Sequence, residues 1–416
     1  MFRVAWIGGR PAPIAGAKEL GIDVVLVHEP GMYDESIRQH CERIVHAPVT
    51  DGPAIVEALR GLHAERPFER VITTSEPAGI AAGHVTDAFG LPGVSERTAR
   101  TLKDKSLTRA ALAEHGVSPV QYRIVSGAAE TAAFAAEVGG RIVVKPIDGA
   151  ASRQIHRIAD AEEAELAWKQ LDAAGITSAL AEEYLDGPVV SVDSFSHNGR
   201  HLPIGYSEYQ VNDRYVEWAV STPSRVAAPH LPALRELTVK LLDAVGMTEG
   251  PSHSEFVLTA GGPRVLESHA RLGGHAVPEL VRRAFGLDLA RMMLTVPLGI
   301  DELPEAPPEP IGGAAIRFFR PQPGTIRSIT VAEDIAPVVR RVPPGEMADV
   351  YLPLLAELRA YEVAAVVQKN PGDVVPPLLT LADCSSGYAL ASAVDAAAAE
   401  ARCEEVDAKI RFEVPS

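Results

Sequence analysis

Residues 253–271 read HSEFVLTAGGPRVLESHAR, two alternating runs around Ala260, Gly261, Gly262 and Pro263. That is hairpin chemistry: apolar and polar residues alternate on each arm, and the turn residues tolerate unusual backbone angles. With the turn centred on Gly261, Glu255 faces Glu267 and His253 faces His269, and Arg271 follows on the same face. Opposed side chains of such a pair have Cβ atoms roughly 4.5–5.5 Å apart. Phe256, Leu258, Leu266 and Ala270 fall on the other face and are the expected core residues. Two carboxylates held face to face repel unless something positive lies between them. Three readings follow. A magnesium ion shared with a polyphosphate suits two oxygen ligands with open positions. A zinc or iron ion suits two His and two Glu. A solvated hairpin with surface glutamates needs no ion at all.

Two lysines stand at positions suited to anionic oxygens: Lys105, after Leu102, Lys103 and Asp104, and Lys145, inside the apolar run 142–146 before Pro146. Several phosphate oxygens require such fixed cations. The loop 148–153 (DGAASR) is built of small residues that permit close approach of a ligand. An acidic segment, Glu182, Glu183, Tyr184, Leu185, Asp186 and Gly187, ends a further apolar run.

Elements must hold these groups. Apolar runs at 4–7, 23–27 and 71–74, with helical patterns between them, predict an α/β unit with a parallel sheet. Gly8 and Gly9 follow the first run, but GxGxxG spacing is absent, so they read as packing glycines rather than a dinucleotide site. One amphipathic helix is predicted over 97–114, a strand over 142–146, a helix over 161–174 and a strand from 189 to 195. The segment 206–225 is aromatic and mixed in charge, and together with residues 271–275 it is where substrate contacts are expected. LPEAPPEPI at 303–311 reads as a linker into a region with a strand at 315–318 and an alanine-rich helix near 390–405. The expected divisions are 1–96, 97–302 with a small lid subdomain about 118–185, and 303–416.

Composition narrows the classes. The 416 residues carry 39 Lys and Arg against 55 Asp and Glu, a formal charge of −16. A field of that sign repels nucleic acid, and no basic block offsets it. The apolar runs are too short to span a bilayer. The opening MFRVAWIGGR lacks a signal-peptide pattern, and the three cysteines (Cys41, Cys384, Cys403) make no disulfide framework or zinc knuckle. A cytoplasmic chain without nucleic-acid or membrane partners is expected.

In order along the chain, Leu102–Lys105, Val143–Pro146 with its small-residue loop, Glu182–Gly187, and Glu255 with Glu267-x-His269-x-Arg271-Leu-Gly-Gly resemble the ATP-grasp superfamily, in particular its carboxylate–amine ligases of the L-amino-acid ligase type. The resemblance spans nearly the whole chain and is strongest from about 70 to 300. It implies an ATP-grasp fold behind an N-terminal Rossmann-like pre-ATP-grasp domain and ahead of a C-terminal α+β domain. It further implies that Lys105, Lys145 and Ser152 hold ATP phosphates, and that Glu182, Glu183, Tyr184 and Leu185 form the adenine-reading segment. Val189 stands where many relatives carry a ribose-binding glutamate, leaving Glu183 or Asp193 as substitutes. Glu255 and Glu267 become ligands of magnesium, for which manganese can substitute, and His269, where many relatives have asparagine, becomes a further metal or phosphate contact. Arg271 is the implied catalytic electrophile, and His253 orients a substrate or serves as base toward the amine. The implied reaction joins a small carboxylate to a small amine through an acyl phosphate, giving an amide such as a dipeptide with ADP and phosphate. A homodimer is expected. The rival readings are an ATP-dependent carboxylase of the biotin carboxylase type and a non-catalytic ATP-binding module.

Overall fold

The computed structural model describes residues 2–9, 11–149, 154–214, 216–274, 276–335, 338–342, 354 and 356–415. Ser152 and its neighbours 150–153, together with Tyr215 and His275 of the stretches expected to contact substrate, lie outside the described residues.

The N-terminal unit is built on a parallel sheet. Strands β1 (Arg3–Ile7), β2 (Asp23–His28), β3 (Arg43–His46) and β4 (Arg70–Ile72) stand in the order β3-β2-β1-β4, with α1 (Pro11–Glu19) and α2 (Gly52–Glu65) between them in sequence and α3 (Gly79–Ala88) after β4. Every residue of β1 is buried, which is why it reads as an unbroken apolar run. β3 escaped the sequence reading because its two apolar residues, Ile44 and Val45, are flanked by Arg43 and His46 and it lies at the sheet edge.

The helix predicted over 97–114 is two helices, α4 (Glu96–Lys103) and α5 (Lys105–Glu114). Asp104 divides them. Its backbone is extended and its carboxylate accepts the N–H groups of Ser106 and Leu107, at 2.8 and 3.1 Å, so it caps α5 and cannot continue α4. The break puts Lys105 at the first position of α5, where its own N–H donates to the Ile147 carbonyl at 3.0 Å.

A four-stranded antiparallel sheet follows: β5 (Tyr122–Val125), β6 (Ile142–Pro146), β7 (His156–Ile158) and β8 (Ala179–Glu183), ordered β5-β8-β6-β7. Helices α6 (Ala128–Val138) and α7 (Ala161–Ala173) close a core around Phe134, Trp168 and Leu171. The Trp168 indole N–H donates to Thr131 Oγ1 at 2.7 Å, so the buried polar end of the ring is satisfied.

The rest is organised on a nine-stranded sheet. Strands β9 (Val189–His197), β10 (Arg200–Val211), β11 (Glu217–Thr222), β12 (Gly250–Thr259) and β13 (Gly262–His269) form its first part, with α8 (Leu231–Ala244), α9 (Val277–Phe285) and α10 (Leu289–Thr295) in the same stretch of chain. Beyond the irregular proline-rich segment, β14 (Gly313–Phe318) pairs with β11. Two short ribbons follow, β15 (Gly324–Thr325) with β19 (Val374–Val375), and β16 (Ser328–Val331) with β21 (Ile410–Glu413). Adding β17 (Val339–Arg341), β18 (Val363–Val367) and β20 (Gly387–Ala393), the sheet runs β13-β12-β9-β10-β11-β14-β20-β18-β17. The C-terminal region therefore extends the central sheet. The helix expected near 390–405 spans Ala396–Lys409, and residues 387–393 form β20 instead, because that run is buried against strands on both sides. Glu279 on α9, 4% exposed, bonds Arg282, Arg283 and Arg359 at 2.7–2.9 Å, while Arg283 also donates to the carbonyls of Leu358 and Tyr361. These bonds tie α9 to the C-terminal region. No helix among the described residues is long and apolar enough to cross a membrane.

Candidate active site

The hairpin β12–β13 pairs His253 with His269 and Glu255 with Glu267, as the sequence predicts, but by a different route. The turn is one residue tighter than assumed, since Thr259 faces Gly262 and Phe256 faces Val265. A bulge then leaves Leu266 unpaired and restores the expected register at Glu255. Its consequence appears in the core: Val265 is buried there with Phe256 and Leu258, in place of Leu266.

The carboxylates are not equivalent. Burial, then the charges of Glu267 and Glu217, push Glu255 up, and its contact with His253 only partly offsets them. Burial also acts on Glu267, but a hydrogen bond with His269 (3.1 Å) and the charges of Lys105 and Lys145 outweigh it and hold Glu267 well below the usual carboxylate range. Lys105 Nζ lies 3.4 Å from Glu267 and donates to the Gly149 carbonyl at 2.7 Å. The second lysine sits deeper. Lys145 Nζ is 2.6 Å from Glu182, whose other oxygen takes the Nε–H of Arg109. Burial raises the Glu182 pKa, yet its two cations bring it down to about 2.

His253 is enclosed. Its Nδ1 is 2.9 Å from Asp193 and its Nε2 is 3.6 Å from Glu255 and 3.5 Å from the Tyr209 hydroxyl. Burial lowers its pKa, but Asp193 and Glu255 together raise it to about 10. Enclosed by Asp193, Glu255 and Tyr209, the ring is held in place, and the orienting role is the one these surroundings fit. Asp193, a candidate for the ribose, is 1% exposed and pairs with His253 here instead. Gly273 covers the pair: a Cβ there would stand 2.8 Å from His253 Nδ1 and 2.9 Å from Asp193. Tyr209 donates to Ser191 Oγ at 2.7 Å, and burial with the charges of Glu217, Glu255 and Asp193 keeps its phenol protonated.

Arg271 meets a residue of the N-terminal sheet. Its Nε donates to Glu76 at 3.0 Å, and the same carboxylate accepts from Lys103 at 3.0 Å. Glu76 follows β4, beside β1 in the order β3-β2-β1-β4, where open parallel sheets place their ligands at the strand ends. That rule could have found it. Arg109 could have been found as the residue four after Lys105, on the same face of α5. Tyr209 lies in the stretch expected to contact substrate; there the chain forms the strands β10 and β11, with Tyr206 in the core against Phe285.

The residues of the segment 182–187 divide. Side chains alternate along β8, so Glu182 turns to Lys145 and Glu183 turns away, accepting the backbone and side-chain N–H groups of Gln121 at 3.1 and 3.3 Å. Tyr184 leaves the strand beneath the Arg157 guanidinium, 5.2 Å from its ring centre, and Leu185 follows, half-buried. Gly187 makes the crossing possible. At φ +149° its missing Cβ would lie 2.1 Å from the Leu258 carbonyl oxygen.

Among the described residues no group of three or more His, Cys, Asp or Glu is arranged to hold a metal ion. The two-His, two-Glu site does not assemble, since His253 Nδ1 is turned to Asp193 and His269 is bonded to Glu267. Two opposed carboxylates, one of them pushed up by burial and by the charge of the other, do fit a hard divalent ion that takes its remaining oxygens from a polyphosphate.

Two family models match the chain, an ATP-grasp N-terminal domain over residues 14–93 and an ATP-grasp domain over residues 138–279. The L-arginine-specific L-amino acid ligase of Bacillus subtilis is 23% identical over 303 residues, 70% of this chain and 73% of that protein. Alanine–anticapsin ligase of Bacillus subtilis (strain 168) is 25% identical over 250 residues, 54% of this chain and 53% of that protein. The first curated relatives are matched over 58% and 53% of their length, so the chain spans little more than half of each. The crystal structure of an L-amino acid ligase from Bacillus licheniformis superposes with a TM-score of 0.76 at 22% identity, over 100% of this chain and 99% of that one. With these two models covering 14–93 and 138–279, the chain belongs to the ATP-grasp family.

Proposed function

We propose that this protein is an ATP-dependent carboxylate–amine ligase that joins an amino acid, through its carboxylate, to a second small amine. The observation that carries the reading is the opposed pair Glu255 and Glu267, bordered by Lys105 and Lys145: anionic ligands and cations alternate as a bound metal–polyphosphate requires. Lys105 and Lys145 bind phosphate oxygens, with Ser152 and its loop over them. The backbone of Glu182, Glu183, Tyr184 and Leu185 reads the adenine edge. Glu255 and Glu267 hold magnesium or manganese, and His269 orients Glu267. The metal, when bound, neutralises phosphate charge.

The carboxylate oxygen of the first substrate attacks the γ-phosphorus of ATP, and the bond to the β-phosphate oxygen breaks, leaving an acyl phosphate and ADP. The amine nitrogen then attacks the acyl carbon, phosphate departs, and an amide remains. Arg271, its guanidinium plane fixed by Glu76, neutralises the oxygen charge of that second step. His253 orients the groups around Glu255, and Gly273 leaves room for the His253–Asp193 pair. The divisions 1–96, 97–302 and 303–416, a homodimeric state and a cytoplasmic setting belong to the same reading.

The test is phosphate release from ATP and magnesium across paired amino acids, with mass spectrometry of the products. The reading predicts release that needs two substrates and a product lighter than their sum by one water. Release that needs bicarbonate in place of an amino acid would replace it with the carboxylase reading.

A further inference from the structure

A cleft of about 110 Å³ lies between the N-terminal sheet and the open end of the β12–β13 hairpin, and the reaction above makes no use of it. One wall is β4 with the residue after it, 70–73. The others come from Gly79 on α3, Val94, Pro251 on β12, Ala270 and Met293 on α10. Val71, Val94, Ala270 and Met293 are half-buried, and Pro92, which also lines the cleft, is exposed, so the cleft opens to solvent.

β4 is the edge of its sheet and pairs only with β1. In a parallel strand the N–H and C=O of one residue point to the same side, and successive residues alternate. Glu69 donates to the Arg3 carbonyl at 2.9 Å, so 69, 71 and 73 turn to β1 while the main chain of Arg70 and Ile72 turns outward, to the cleft. Among the described residues nothing bonds the N–H or C=O of Arg70 or Ile72 on that side. Ile72 is 7% exposed, and buried main-chain groups without partners are rare and costly. These groups recur about 6.6 Å apart along the edge, the repeat of an extended chain. A water answers one such group at a time, whereas a second extended main chain answers donors and acceptors together. The volume limits the length. An apolar cavity of about 150 Å³ takes one benzene ring. This cleft therefore takes one aliphatic side chain and no long strand.

We propose that the cleft binds a short extended peptide with an aliphatic side chain, held by main-chain hydrogen bonds along β4. A dipeptide is the product class of the ligase reading, and the regulatory part of this inference rests on that reading. Thr73 and Ala270 both line the cleft, three residues before Glu76 and one before Arg271. A peptide seated between them parts the elements whose ends meet in the 3.0 Å contact of Arg271 with Glu76. Accumulating product thereby slows turnover.

L-Alanyl-L-leucine is the probe, added to the full chain. Residue-resolved hydrogen exchange should slow about tenfold at Arg70 and Ile72 and stay unchanged at Val71, which already bonds β1. The same dipeptide methylated on its amide nitrogen cannot donate to the edge and should bind at least about tenfold more weakly. Gly79→Leu fills the cleft from a helical position (φ −56°) whose missing Cβ meets nothing within 4 Å, and Val94→Phe is an independent block. Both variants should melt as the wild type does and lose the protection. With ATP, magnesium and substrates present, the dipeptide should lower wild-type turnover at least about tenfold and spare both variants. Unslowed exchange at Arg70 and Ile72, equal binding of the methylated peptide, protection confined to 253–274, or effects that persist in both variants would overturn the site. Protection with undiminished turnover would keep the site and overturn its link to the reaction. A chain that forms no amide fails the ligase reading, while exchange at Arg70 and Ile72 still decides the cleft.

Discussion

Replacing Glu182 by Gln removes the one carboxylate between Lys145 and Arg109 and leaves both cations buried. The side chain is 5% exposed, so water does little to relieve them. Its pKa stands at about 2 against an ordinary 4.5, and at about 1.36 kcal/mol per tenfold this difference corresponds to ~3 kcal/mol of stability. Breaking a buried ion pair by removing one partner independently costs about 3–5 kcal/mol. The loss should be local first, in the sheet that holds Lys145 and Glu182. Amide exchange at Val143, Val144 and Ala181, corrected for intrinsic rates, should quicken roughly a hundredfold at pH 7 in Glu182→Gln. The pH dependence has a fixed sign. A carboxylate whose folded pKa is depressed stabilises above its unfolded pKa and loses that contribution as pH falls from about 4.5 toward 2. Wild type and variant should therefore converge in acid. A difference at pH 7 below about 1 kcal/mol, or one that persists unchanged at pH 2, refutes the ion-pair account.

Further perturbations test the supporting structure. Gly273→Ala drives a methyl into His253 and Asp193, so turnover should fall at least about tenfold while thermal stability changes little; unchanged turnover would remove Gly273 from the account. Thr131→Val takes the acceptor from the Trp168 indole, and urea titration should show a loss of about 1–3 kcal/mol. Glu279→Gln weakens the bonds from α9 to the C-terminal region; calorimetry should give a melting temperature lower by several degrees, and equal melting would show that Arg282, Arg283 and Arg359 hold α9 without it.

Much of the site was legible because its chemistry is local in the chain. The pairing of Glu255 with Glu267 follows from alternation and a turn, and it held even though the assumed turn and the missing bulge were both off by one residue, in opposite senses. The same cancellation misplaced Leu266, because only the three-dimensional strand shows a bulge. The break at Asp104 is a contest between helix continuation and a side-chain cap, and the pattern of apolar residues, which runs through it, cannot decide it. Partnerships across long separations were not legible. Glu76 meets Arg271, and Arg109 meets Glu182, only when the parallel sheet and α5 are folded against the rest. Asp193 looked free for a ribose because nothing in one strand reveals that its neighbour brings His253 alongside.

The acyl phosphate is the central claim, and oxygen transfer tests it most directly. An amino acid carrying ¹⁸O in its carboxylate is incubated with ATP, magnesium and the amine, and the inorganic phosphate is analysed by mass spectrometry. Attack of the carboxylate on the γ-phosphorus predicts one ¹⁸O in the phosphate for each amide formed. Unlabelled phosphate accompanying amide formation, or label found in AMP, would contradict it.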